Sequence, residues 1–174
     1  MTVIQTQRLT LRPARADDLD ALYAIMRQPR AMAYWSTPPH EHPDQTADFL
    51  EGMMTIPSDL GEDFIAENEG RLIGKVGLYR FPELGYLFDP DFWGKGFARE
   101  AMVAVITRAF EVHSLPRLTA DVDPRNEASI RLLERLGFCE THRATKTILV
   151  GEQWCDSVYF ALDRESWSAL QRTA

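Results

Sequence analysis

Residues 84 to 110, LGYLFDPDFWGKGFAREAMVAVITRAF, constrain the fold more than any other stretch, because they read as a strand running through a glycine loop directly into a helix. Ala98, Ala101, Met102, Val105, Ile106, Ala109 and Phe110 recur at spacings of three and four, which predicts a helix with one face in the core. Gly94 and Gly96 remove Cβ atoms where the backbone must bend. A helix starting there leaves its first N–H groups without intrahelical partners, and these donors, at the positive end of the helix dipole, attract an anion. The same glycines would also serve a plain strand-to-helix turn. The anchored helix behind them and the flanking cations Lys95 and Arg99, in a chain of formal net charge −7, favour an anion site.

A chain of 174 residues with 45% hydrophobic content is one domain's worth, and we assign residues 1–174 to a single domain. The acidic balance argues against nucleic acid as a partner and suits a cationic substrate. No apolar run follows Met1, and no stretch reaches the roughly 18 apolar residues of a membrane span, so a cytoplasmic protein without membrane contact is expected. Cys139 and Cys155 lack CxxC spacing and read as reduced sheet or core residues; His40 and His42 have no further ligands in register, so no metal is expected.

Residues 4–14 alternate as a first strand, after which Asp17 caps a helix presenting Leu19, Leu22, Tyr23 and Met26. Residues 33–45, with three prolines, form a loop, followed by a second helix with Phe49, Met53 and Met54 inward. Two strands surround a turn at Asn68 to Gly70, and a third follows Pro82, giving an antiparallel run. Beyond the motif helix come a strand at 116–123, a helix from Asn126 to Leu136, and two strands at about 138–149 and 153–163 joined by a hairpin. The order predicts an α+β domain with a largely antiparallel mixed sheet of about seven strands and about four helices. Its exposed final hairpin offers an edge for a homodimer.

Three glycine designs hold phosphate before a helix. The P-loop needs GxxxxGK then Ser or Thr; here Gly96 follows Lys95, and position 89 is not glycine. A dinucleotide site needs GxGxxG, and Arg99 stands where its third glycine belongs. The run from Glu83 through Ala98, together with DPRNEASIRLLERLGF at 123–138, resembles the GCN5-related N-acetyltransferase (GNAT) superfamily, and within it the RimJ/RimL-like branch of ribosomal-protein acetyltransferases. Trp93 stands at the first place of the coenzyme A motif, with Gly96 and Ala98 at its conserved ones, as in the WGKG variant of that branch.

The resemblance implies the GNAT fold and acetyl-CoA as acetyl donor. Its pyrophosphate would be held by backbone N–H groups of Trp93, Gly94, Lys95, Gly96, Phe97, Ala98 and Arg99, and its pantetheine arm by a bulged strand at Leu87 and Phe88. It also implies Asn126 as a cofactor contact and Ser129 as general acid for the thiolate, beside the plain reading of Asn126 as a helix cap. Leu133 occupies the position where many relatives carry a tyrosine acid. Tyr34 and Trp35 would wall the acceptor side.

Acetyl transfer requires a free amine. Deprotonating a lysine-like ammonium at pH 7 costs about 4.6 kcal/mol, and an α-amine only about 1 kcal/mol. Glu83, at the start of the motif strand, is the first candidate base and Asp121 the second. The acceptor is then a protein N-terminus or a small amine. Two other readings stay open at this point: a non-catalytic acyl-CoA-binding module and a dinucleotide-binding oxidoreductase.

Overall fold

A computed structural model describes residues 2–173. Among these residues one eight-stranded sheet runs in the order β1-β2-β3-β4-β5-β6-β8-β7, with five α-helices packed on it. The strands are β1 (Ile4–Gln5), β2 (Thr10–Arg12), β3 (Glu62–Asn68), β4 (Arg71–Arg80), β5 (Glu83–Phe88), β6 (Arg117–Val122), β7 (Cys139–Val150) and β8 (Gln153–Asp163). The helices are α1 (Leu19–Met26), α2 (Pro43–Met54), α3 (Phe97–Glu111), α4 (Glu127–Arg135) and α5 (Arg164–Thr173). Neighbouring strands are antiparallel except β5 and β6. This is the expected α+β architecture.

Alternation along the strands divides the core between the two faces of the sheet. Phe64 packs with Met102, Ile106, Leu133 and Trp167 from α3, α4 and α5, whereas the next residue, Ile65, packs with Leu22, Met26 and Leu50 from α1 and α2. The α3 stripe is buried as its periodicity predicts from Ala101 to Phe110, while at its start Phe97 enters the core and Ala98 is only half-buried.

Four local expectations are corrected. The strand expected over 4–14 is broken: Thr6 N–H donates to the Leu9 carbonyl at 2.9 Å, and Glu100 of α3 accepts from Thr6 Oγ1 at 2.6 Å and Arg8 N–H at 2.7 Å. The chain therefore folds into β1 and β2. Asp18, not Asp17, organises the start of α1, because its carboxylate accepts Arg15 N–H at 2.7 Å while buried against Arg12. Met54 is exposed, since α2 turns Leu50 and Met53 to the core. A fifth helix follows β8, anchored by Trp167 in the core and by Arg164 donating to the Leu115 carbonyl at 2.9 Å.

The bulge expected at Leu87 and Phe88 also lies elsewhere. Both residues pair regularly, with Lys75 and Gly74, and the irregularity falls between Gly77 and Arg80 on β4. What distinguishes β5 is its other edge. It aligns with β6 only at Glu83 and Thr119, where Thr119 N–H donates to the Pro82 carbonyl at 3.0 Å. Beyond that point β5 follows β4 and β6 follows β8, leaving a fork between them.

Beneath the fork, on the α1 and α2 side, Lys75 Nζ lies 2.7 Å from Asp63 Oδ2, with both side chains almost fully buried. Trp35 and Phe49 roof the ammonium at 5.7 and 5.8 Å from their ring centroids. A Cβ on Gly77 would stand 2.5 Å from Asp63 Oδ1, so glycine is needed for this approach. Burial pushes the Asp63 carboxyl up, against the pull of Lys75.

Removing one partner of a buried pair strands the other, so Lys75→Met is expected to cost about 3 kcal/mol at neutral pH. Asp63 in the folded variant holds its proton to higher pH than in the unfolded chain, so the penalty is full above the folded pKa and shrinks as pH falls and the carboxyl protonates. Urea midpoints of both proteins at about pH 7.5 and about pH 5 measure this, and the gap should narrow at the lower pH.

Candidate active site

The loop before α3 is held by its own side chains. Asp89 Oδ1 accepts Asp91 N–H at 3.1 Å to shape a short turn at Pro90–Phe92, and the Trp93 indole N–H donates to the Phe88 carbonyl at 2.8 Å, pinning the loop to β5. Gly94 and Gly96 have φ of 72° and 82°, the left-handed region that glycine enters without a Cβ penalty. Gly96 precedes the first residue of α3 and has no side chain to cap it, so no side-chain cap occupies the first-turn amides. A Cβ at Gly94 would meet nothing within 4 Å.

Two of the cations around the loop, Arg8 and Arg30, come from distant segments. Arg8 Nη1 donates to the Lys95 carbonyl at 2.9 Å, its guanidinium 4.3 Å from the Phe97 ring centroid, and Arg30 lies 5.1 Å from that of Trp93. Lys95 folds back, its Nζ donating to the Asp91 carbonyl at 2.8 Å. Arg99 lines a groove of about 390 Å³ with Arg8, Gly96 and Glu100. Phe97 is buried in the core, so it can offer a ligand only its amide. Arg8 and Arg30 were not among the residues expected here. Nothing in the sequence near Arg8 points to a loop 87 residues away.

Of the two β5 residues expected to meet the pantetheine arm, only one turns its amide to the fork. Asp89 N–H donates to Ile73 on β4 at 2.8 Å, so alternation directs the amides of Gly85 and Leu87 to β4 and those of Tyr86 and Phe88 to the open edge.

On the α1 and α2 face the fork opens into a cleft of about 620 Å³. Tyr34, Trp35 and Phe49 wall one side, and Glu83, Gly85 and Asp121 the other. Side chains of Leu118, Ala120 and Val122 enter the opposite core, so Thr119 and Asp121 face the cleft, as do Glu83 and Gly85. The structure thus brings together Glu83, Asp121, Tyr34 and Trp35. Loss of hydration pushes the Asp121 carboxyl up, the Ser157 hydrogen bond opposes this, and neighbouring Asp123 adds to it. Among the described lining residues, Lys75 is paired with Asp63 and Arg125 with Asp123, which leaves Arg80 against Asp48, Glu83, Asp121 and Asp156.

On the other face, Ser129 in the first turn of α4 accepts from the Tyr86 hydroxyl at 2.8 Å. Asn126 caps that helix, its Oδ1 accepting Ser129 N–H at 3.2 Å. Leu133 is fully buried. Burial pushes the Tyr86 phenol up to about 12, with the Ser129 bond acting in the opposite sense. Tyr86 was not singled out from the sequence. Alternation places it opposite Glu83 and Gly85, and its partner lies 43 residues on.

A family model described as an acetyltransferase (GNAT) domain matches residues 8–139, which include the glycine loop, the fork and α4. Among curated relatives, the uncharacterized N-acetyltransferase p20 of Bacillus licheniformis is 32% identical over 148 residues, covering 79% of this chain and 83% of its own. A GNAT-family acetyltransferase structure from Bacillus anthracis superposes with TM-score 0.83 at 25% identity, covering 94% of this chain and 99% of its own. Spermidine N-acetyltransferase from Vibrio cholerae, solved with CoA and spermine, shares the fold with TM-score 0.79 at 22% identity, covering 92% and 98%. The chain therefore belongs to the GNAT acetyltransferase family and is an N-acetyltransferase.

Proposed function

We propose that this enzyme transfers the acetyl group of acetyl-CoA to a cationic amine, which attacks from the cleft on the α1 and α2 face. GNAT enzymes use acetyl-CoA, which supplies an acetyl group activated as a thioester. The residues present fit such a ligand: uncapped amides at the start of α3, left-handed glycines with open space at Gly94, and Arg8, Arg30 and Arg99 around them. The amides from Gly94 to Arg99 would hold the pyrophosphate, since the Trp93 N–H expected with them donates to the Pro90 carbonyl at 3.3 Å, and the open-edge amide of Phe88 would hold the pantetheine arm. Asn126 acts as cap to the helix that carries Ser129, which donates to the departing sulfur. The Trp93–Gly96 sequence, which resembles the WGKG variant, supports a place in the RimJ/RimL-like branch.

The observation that carries the acceptor reading is the excess of carboxylates in the cleft. An ammonium is drawn there and must then lose a proton. Glu83 and Asp121 face that space together, and Asp121, with its carboxyl raised, is the better matched acceptor of that proton. Tyr34 and Trp35 supply an apolar wall for the chain that bears the amine. The two other readings gain nothing. A dinucleotide oxidoreductase would need a doubly wound parallel sheet, whereas β3, β4 and β5 are antiparallel.

A panel of spermidine, putrescine and a peptide with a free N-terminal alanine, followed by release of CoA thiol, tests the acceptor. Turnover of the polyamines, with KM rising as salt is added, is expected; turnover of the peptide alone would move the acceptor to protein N-termini. Asp121→Asn should lower kcat/KM about 100-fold and remove the acidic limb of its pH profile, a limb whose midpoint in the wild type lies above the ordinary carboxylate value. A large loss on Glu83→Gln with none on Asp121→Asn would assign the base to Glu83. Gly94→Ala should raise KM for acetyl-CoA about tenfold with about 1 kcal/mol of destabilisation from its left-handed backbone, read by initial rates and thermal melting.

A further inference from the structure

Ser129, on the first turn of α4, and Tyr86, on the β5 arm of the fork, are joined by one hydrogen bond of 2.8 Å. The direction of that bond matters. The phenol is packed against the core, and its hydroxyl is the donor to Ser129 Oγ. Ser129 Oγ is the acceptor. Its backbone is fixed by the Asn126 cap, and among the described residues its own proton has no protein acceptor, including the carbonyl one turn back that a helical serine often takes.

We infer that Tyr86 is a positioning residue for the reaction: by donating to Ser129 Oγ it directs the serine O–H away from itself and into the fork, toward the sulfur that leaves when acetyl is transferred. This rests on the acetyl-CoA reading above. A serine hydroxyl, about as weakly acidic as water, is far too weak an acid to protonate a thiolate whose conjugate acid has pKa ~8.5, so Ser129 contributes a hydrogen bond and not a proton. The step balances on that basis. The ammonium first gives one proton to the cleft carboxylates, the free amine nitrogen then forms the new C–N bond, the C–S bond breaks with its electron pair going to sulfur as the nitrogen loses its second proton to solvent, and the thiolate departs under the Ser129 bond and takes a proton from solvent. Tyr86 strengthens that bond because a hydroxyl that accepts one hydrogen bond donates a better one. The fork is thereby used from both faces, with proton acceptance on the side of Asp121 and charge stabilisation on the side of Ser129.

The readout is the thiol pKa of bound CoA, followed by ultraviolet absorbance of the thiolate, which needs neither turnover nor an identified acceptor. Ser129→Ala should raise it by about one unit, as loss of one hydrogen bond to a charged group implies. Tyr86→Phe should raise it by roughly half as much, and the double variant no further than Ser129→Ala alone. Thermal melting checks that each variant is folded, and single-turnover transfer to the fastest panel amine should fall in the same order. A thiol pKa unchanged by Tyr86→Phe, or additive effects in the double variant, would overturn the role of Tyr86 while leaving Ser129 in place. No change on Ser129→Ala would overturn both. Failure of the wild type to bind CoA at all would instead remove the acetyl-CoA reading on which they stand.

Discussion

The cleft and the open edge of β5 both depend on one backbone arrangement, the parting of β5 and β6 beyond Glu83 and Thr119. A continuous ladder there would consume the amides of Tyr86 and Phe88 and close the cleft. Antiparallel neighbours support each strand separately, β4 behind β5 and β8 behind β6, so the fork leaves each strand paired along its other edge. Unpaired edge amides are ordinarily a liability for a sheet, and here they are enclosed where an extended, peptide-like ligand can pair with them.

The electrostatics follow the same division. On one side of the fork the cleft carries carboxylates in excess, while the loop before α3 gathers Arg30 and Arg99, with Arg8 paired to Glu100 at 2.7 Å, in a chain that is acidic overall. Opposite local fields near one fork suit a polyanionic donor and a cationic acceptor meeting there. The buried Lys75–Asp63 pair adds no net charge to the cleft, but it holds its ammonium beneath Trp35 and Phe49 and so ties the aromatic wall to the sheet.

Where the sequence was legible, a local signal decided the structure. The α3 stripe, the glycine loop and the cap at Asn126 depend on residues within a few positions of one another, and each formed as its spacing implied. Where it was illegible, a distant partner intervened. The alternating run at 4–14 breaks because Glu100 accepts from Thr6 and Arg8, and α1 is organised at Asp18 because Arg12 is buried beside it. The irregular register sits on β4 and not at Leu87, which no local pattern distinguishes.

The sequence by itself determined the anion site, since a glycine loop leading into a helix with one buried face is a local device whose amides point at an anion wherever the helix is packed. Only the tertiary structure decided which side chains share the fork. Alternation had already set Glu83 and Gly85 on one face of β5 and Tyr86 on the other. That Asp121 stands beside the first pair and Ser129 meets the second depends on parallel pairing with β6 and on the packing of α4, contacts between segments tens of residues apart that no spacing along the chain encodes.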